Sequence, residues 1–221
     1  MTVLVEAAVE SLDDALAAME GGAGRLELCA QLAVGGTTPS AARVESLLAA
    51  VDVPLFVMIR PRGGSFVYSD AELTRMCEDV AMARALGAAG VVLGVLDETN
   101  RVDLDRTAAL VEAAGELPVT FHRAIDQVAD RLDAIDALAA IGVARVLSSG
   151  GAETAMEGAD ALHAMTERAS GRLSIVAGGG VRGHNARALV ERSGVREVHA
   201  RCGGDPARIR GIVRAVNYHS Q

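Results

Sequence analysis

The chain has 221 residues, 50% hydrophobic and 23% charged, a globular composition long enough for one sizeable core. A net charge of −8, 2% aromatics and no tryptophan exclude the basic, ring-studded surface that nucleic-acid binding requires. No apolar run reaches the ~18 residues of a membrane span, and the opening Met1-Thr2-Val3-Leu4-Val5-Glu6 lacks the basic and long apolar regions of a signal peptide, so a cytoplasmic protein without a membrane partner is expected. Cys29, Cys77 and Cys202 are odd in number and far apart, which suits reduced thiols better than a disulfide framework.

Taken in order, the chain repeats one grammar: an apolar strand closing on polar residues, a loop, then a helix. Val3 to Glu6 reads as a strand, and Ser11 opens a helix that Gly21-Gly22 stops. Arg25 to Cys29 alternates strictly, so Glu27 and Cys29 share one face and Leu26 and Leu28 the other. A loop at Gly35-Gly36 leads to a helix reaching Ala50, and Leu55 to Arg60 forms the third strand. Ser69-Asp70 caps a long helix to about Leu86, Val91 to Val95 is the fourth strand, and a helix after Asp103 ends near Ala114. Val119 to Arg123, Arg145 to Ser149, Ser174 to Gly178 and Glu197 to Arg201 supply the remaining strands. Helices are expected over Ala134 to Ile141, Asn185 to Glu191 and Pro206 to Tyr218. Eight strand–helix units of roughly 27 residues predict an α/β fold of the (β/α)₈ TIM-like barrel type, a single domain over residues 1–221. A doubly wound dinucleotide fold is the lesser reading, since Gly178-Gly179-Gly180 lacks both the G-x-G-x-x-G spacing and a first-unit position.

Active sites of such barrels sit where the strands end at their C-termini. The residues there include Glu6, Glu27, Cys29, Arg60, Arg62, Asp97, His122, Arg123, Ser149, His199 and Arg201. Charged groups at strand ends also pair among themselves, and Glu6 and Glu27 on neighbouring strands are candidate partners for Arg60. Ser149-Gly150-Gly151 and Gly178-Gly179-Gly180 offer backbone N–H groups, although glycines there also serve tight turns. With Arg60, Arg62 and Arg123 as charge-assisted donors, the ligand class inferred is a small anionic molecule, phosphate esters included. Glu27, Arg60 and His122 are the candidate catalytic residues; Arg62, Arg123, Ser149, Gly150, Gly179 and Gly180 are the candidate ligand-binding ones. All 21 basic residues counted as lysine or arginine are arginines, which closes the Schiff-base route because a guanidinium stays protonated.

The soft donors available to Cu(I) are Cys29, Met58 and Cys202, without a C-x-x-C or M-x-x-M pattern. Several segments in order resemble the copper homeostasis protein CutC family: Arg25 to Cys29, Gly35 to Ser40, Ile59 to Gly64 with Phe66 and Tyr68-Ser69-Asp70, Thr120 to Ala124 with Asp126, and Arg145-Val146-Leu147 with Ser149-Gly150. The resemblance runs from the first strand to His199. It implies a cytoplasmic barrel, often a homo-oligomer, that handles copper, with Cys29 as the metal ligand and a copper ion or a small anion as the partner. Relatives often carry a cysteine where this chain has Ala8, and a longer segment than Cys202-Gly203-Gly204-Asp205 after the eighth strand. Two functions follow as expectations: Cu(I) binding, or acid/base chemistry on a small anionic substrate.

Overall fold

In the computed structural model, which describes residues 2–217, eight parallel strands close into a barrel in sequence order, with the first hydrogen-bonded to the last. The strands are β1 (Leu4–Val9), β2 (Arg25–Leu28), β3 (Leu55–Met58), β4 (Gly90–Leu93), β5 (Val119–Phe121), β6 (Arg145–Ser148), β7 (Ser174–Gly178) and β8 (Glu197–Arg201). The helices between and after them are α1 (Leu12–Glu20), α2 (Ala41–Leu48), α3 (Asp70–Ala85), α4 (Leu104–Ala114), α5 (Arg131–Ala140), α6 (Ala159–Ala169), α7 (Ala186–Ser193) and α8 (Pro206–Asn217). This is the (β/α)₈ barrel that the repeated units predict.

Local chemistry sets the helix starts. The side chains of Ser11, Ser40, Asp103 and Asp130 each accept from a backbone N–H three residues on, and Ser69 with Glu72 forms a reciprocal capping box on α3. Several element bounds differ from the sequence reading: β3 stops at Met58 rather than Arg60, and β4 runs from Gly90 to Leu93 rather than from Val91 to Val95. β1 continues past Glu6 to Val9, because parallel pairing with both β2 and β8 carries the ladder on. The fifth strand stops at Phe121, and Arg123–Gln127 turns into a 3₁₀ helix capped by the ring of His122. α6 occupies a stretch for which the sequence offered no bounds, and the expected end of the last helix at Tyr218 lies outside the described residues.

Strand pleating separates two environments. Outward residues such as Val5, Leu26, Val57, Val91, Phe121 and Val146 pack with the helices in one continuous apolar annulus. The inward residues form a different filling from the branched aliphatic layers usual in such barrels. Toward the N-terminal ends of the strands, Arg25 is ion-paired to both Glu6 and Glu197, and Arg145 lies 3.6 Å from Glu197. The guanidiniums of Arg25 and Arg145 stand 5.1 and 4.8 Å from the centroid of the Phe56 ring. That ring fits because the facing residue is glycine: a Cβ on Gly90 would come within 2.4 Å of it. Phe56, Met58, Val92 and Cys29 make a small apolar cluster separate from the annulus.

Arg25 is therefore a buried charge with two carboxylate partners. Removing one member of such a network leaves uncompensated charge in a low dielectric, which costs about 3–5 kcal/mol. Arg25→Leu is expected to lower the urea-unfolding free energy by that amount, against about 1 kcal/mol for the cap substitution Ser69→Ala. Equal losses for the two variants would disprove the central place given to this ion pair.

Candidate active site at the barrel mouth

A cavity of about 580 Å³ opens at the C-terminal ends of the strands, lined among others by Glu27, Met58, Arg60, His122, Gly179 and His199. Its volume is that of a small-molecule site. Strand register explains the grouping on its β1 side: Glu6 pairs with Arg25 on β2 and with His199 on β8, and Ala8 pairs with Glu27 and Arg201. The methyl of Ala8 thus stands in the cavity wall between a carboxylate and a guanidinium strand.

Glu6, His199 and Glu27 form a carboxylate–imidazole–carboxylate array whose ligand atoms all lie within 4.8 Å of one another. His199 Nδ1 is 2.7 Å from Glu6 Oε1, and His199 Nε2 is 3.6 Å from Glu27 Oε2. Burial disfavours a charged Glu6, but its hydrogen bond to His199 and the charge of Arg25 outweigh that and hold its pKa at about 2. Burial likewise opposes the imidazolium of His199, yet Glu27 and Glu6 overcome it and the pKa rises. Glu27 goes the other way from Glu6: burial raises its pKa, His199 only partly offsets this, and Glu6 adds repulsion. Its Oε1 is buried without a hydrogen-bond partner. A carboxyl held up in this manner, beside an imidazole, is equipped to exchange a proton with a ligand.

The other sequence candidates divide. His122 lines the cavity; its Nδ1 accepts from the Ala124 N–H at 3.2 Å, so the proton of the neutral ring sits on Nε2, which is buried and unpartnered. Arg60 also lines the cavity, but its Nη atoms donate to the carbonyls of Val34, Gly36 and Gly64 at 3.1, 3.1 and 2.9 Å, beneath a stacked Phe66 ring. Neither Glu6 nor Glu27 neutralises it, because Arg25 reaches Glu6 first; Arg60 ties the loops after β2 and β3 together. Arg62 turns away to Glu72 at 2.6 Å and to the carbonyls of Ser65 and Val67, both at 2.9 Å, outside the cavity lining.

The loop after β6 already holds an anion of its own. Asp126 accepts from the N–H groups of Ser149 and Gly151 at 3.1 Å, from Ser148 Oγ at 2.6 Å and from Arg123 Nε at 2.9 Å. Ser149 therefore serves this internal carboxylate, the Gly150 N–H donates to Ser148 Oγ at 2.8 Å, and neither residue is part of the cavity lining. Arg123, Gly179 and Gly180 do line it. Cys29 is fully buried beside Met58 with Sγ 3.5 Å from Glu27 Oε2, and burial together with that carboxylate pushes its thiol pKa well up. Sequence reasoning set Glu6 and His199 among the strand ends but missed Arg25, Glu197, Asp126 and Arg182. The period-two pattern of Arg25-Glu27-Cys29 and Glu197-His199-Arg201 is the signal that places the first two inside the barrel.

Burial, with Arg60 nearby, lowers the His122 pKa to about 3, so this ring is neutral in the folded protein. Between pH 6.5 and about 3 the unfolded chain binds the extra proton, and the stability linked to His122 is complete above 6.5 and lost as the pH falls through that window. The denaturation midpoint is expected to fall from pH 6.5 to 4.5 more steeply in the wild type than in His122→Gln; parallel profiles would contradict the assignment.

The sequence model of the CutC family matches residues 3–204. The mouse copper homeostasis protein cutC homolog is 42% identical over 209 residues, covering 95% of this chain and 76% of the mouse protein. A CutC family protein of Xylella fastidiosa strain Temecula1 is 46% identical over 196 residues, or 89% of this chain and 73% of its own. The crystal structure of CutC from Streptococcus agalactiae superposes with a TM-score of 0.85 at 37% identity, covering 90% of this chain and 98% of that one. Matched along nearly its whole length in sequence and in barrel geometry, this chain belongs to the CutC family.

Proposed function

We propose that this chain binds a small anionic molecule at the barrel mouth and acts on it by proton transfer, with Glu27 as the group that gives and takes the proton. The observation that carries this reading is the unpartnered, buried Oε1 of Glu27 beside the cavity, in a carboxyl whose pKa burial has raised. His199, positioned through Nδ1 by Glu6, sets Nε2 3.6 Å from Glu27, and the two carboxylates raise the pKa of its ring. His122 contributes a neutral Nε2–H, a donor suited to an oxygen that gains charge as a proton leaves its neighbour. No lysine is present to form a Schiff base, so the proton carriers are carboxyl and imidazole. Reduced Cys29, Cys77 and Cys202 fit a cytoplasmic setting.

A second reading, Cu(I) binding, is favoured by the packing of Cys29 against Met58 and by the names of the relatives. The donor chemistry supports it less. Cu(I) prefers thiolate and thioether donors, whereas burial and the neighbouring carboxylate keep Cys29 as a thiol, and the Glu6–Glu27–His199 set offers oxygen and nitrogen atoms.

A thermal-shift screen of small carboxylates and phosphate esters is expected to yield a ligand that raises the melting temperature of the wild type. Calorimetry of that ligand in two buffers of different ionisation enthalpy should show a proton exchanged on binding, and Glu27→Gln should bind without the exchange. A screen with no ligand, or proton exchange unaltered in Glu27→Gln, would remove the reading. For copper, competition of the reduced protein with a Cu(I) chelator should give weak binding that is the same in wild type and Cys29→Ser. Tight binding lost in Cys29→Ser would transfer the function to the metal.

A further inference from the structure

The charge at the mouth of the cavity is opposite to that of the molecule. The chain carries a net charge of −8, yet the side chains lining this opening include Arg60, Arg123, Arg182 and Arg201 with Glu27 as the one carboxylate. Two of these arginines are already committed, Arg60 to three carbonyls and Arg123 to Asp126. The other two have no carboxylate partner among the described residues. Arg182 spends Nη1 on the Val181 carbonyl at 2.7 Å and keeps its remaining donors, while Arg201 ends β8 exposed to solvent.

The same lining includes backbone of defined orientation. Gly179 and Gly180 follow β7 with φ of +112° and +70°, a conformation that L side chains rarely adopt. The Gly179 carbonyl accepts from Ala155 N–H at 2.8 Å and the Gly180 carbonyl from Asn185 Nδ2 at 2.9 Å. In a planar trans peptide the N–H points opposite to its C=O. Anchoring these two carbonyls therefore turns the N–H groups of Gly180 and Val181 away from those partners, at residues that line the cavity, and neither N–H has a partner among the described residues.

We propose that Arg182, Arg201 and the N–H groups of Gly180 and Val181 form a subsite for the phosphate of a phosphate monoester. The inference rests on the anion-binding reading above and narrows its ligand class. Two guanidiniums and two fixed amides match the several acceptor oxygens and double charge of a phosphate better than the single planar edge of a carboxylate. The loops after strands seven and eight are where barrels of this class commonly hold a phosphate. The parallel loop after β6 cannot take that part, because Asp126 fills it. With the phosphate held at β7 and β8, the rest of a small molecule extends across the cavity toward Glu27 and His122.

Inorganic phosphate is the probe. Calorimetry and thermal shift at constant ionic strength should show saturable binding to the wild type, weakened about tenfold or more by Arg201→Gln and by Arg182→Gln, which corresponds to about 1.4 kcal/mol each. Without phosphate the melting temperatures of these variants should match the wild type, since neither side chain has an ion pair to lose. Arg192→Gln, on α7 outside the cavity and paired with Asp160, should bind phosphate as the wild type does. Absent saturable binding, or binding indifferent to both cavity substitutions, would overturn the subsite. Glu27→Gln keeps the two readings apart: it should leave phosphate affinity unchanged, so a failed phosphate titration with proton exchange intact on a carboxylate removes the subsite alone.

Discussion

The carboxylate–imidazole array at the barrel mouth depends on one buried ion pair, Arg25 with Glu6, set at adjacent positions of β1 and β2 and almost wholly screened from water. Burial drives Glu6 toward the neutral acid, and the hydrogen bond to His199 together with the charge of Arg25 opposes it. Paired, it stays ionised, and its second oxygen takes the Nδ1 of His199 at 2.7 Å. That bond fixes the ring with Nε2 toward Glu27. The sequence of dependence is thus Arg25, Glu6, His199, Glu27, and only the last two reach the cavity. Arg145, Glu197 and the Phe56 ring close the base of this network, so a polar interior does the work that aliphatic layers do in other barrels.

The same economy governs the loops. Barrel loops rich in glycine expose amide donors, and an unoccupied set of such donors is costly in a buried position. After β6 the protein answers with its own carboxylate, Asp126. After β3 it answers in the opposite sense, using the guanidinium of Arg60 to collect carbonyls from two loops. These two internal ions tie down the loops after β2 and β3 and those after β5 and β6. They leave the donors on the β7 and β8 side without a protein partner, which is why the ligand reading concentrates there.

Much of the fold could be read along the chain. Repeating strand–helix units at near-constant spacing required the barrel, and Ser69 with Glu72 marked the start of α3 in plain sequence. Alternation in Arg25 to Cys29 put Glu27 on the inner face with Cys29 and opposite Leu26, and that division is what the two separate apolar clusters display. Arg62 and Ser149 were legible as strand-end polar groups but not by partner. Glu72 and Asp126, which hold them, lie on a helix and in a 3₁₀ turn 10 and 23 residues away in the chain.

The amino-acid sequence by itself determined the class of fold, the two faces of the second strand and the exclusion of lysine chemistry, because periodicity and composition are local properties. Only the tertiary structure decided which charges meet. Glu6 and His199 are 193 residues apart and become neighbours when β1 pairs with β8, a register that barrel closure sets and no local pattern encodes. The same closure brings Arg201 beside Ala8 and spends Arg25, rather than Arg60, on the first-strand glutamate. Coulomb energy in a low dielectric depends on distances of a few ångströms, and those distances exist only once the ring of strands is complete.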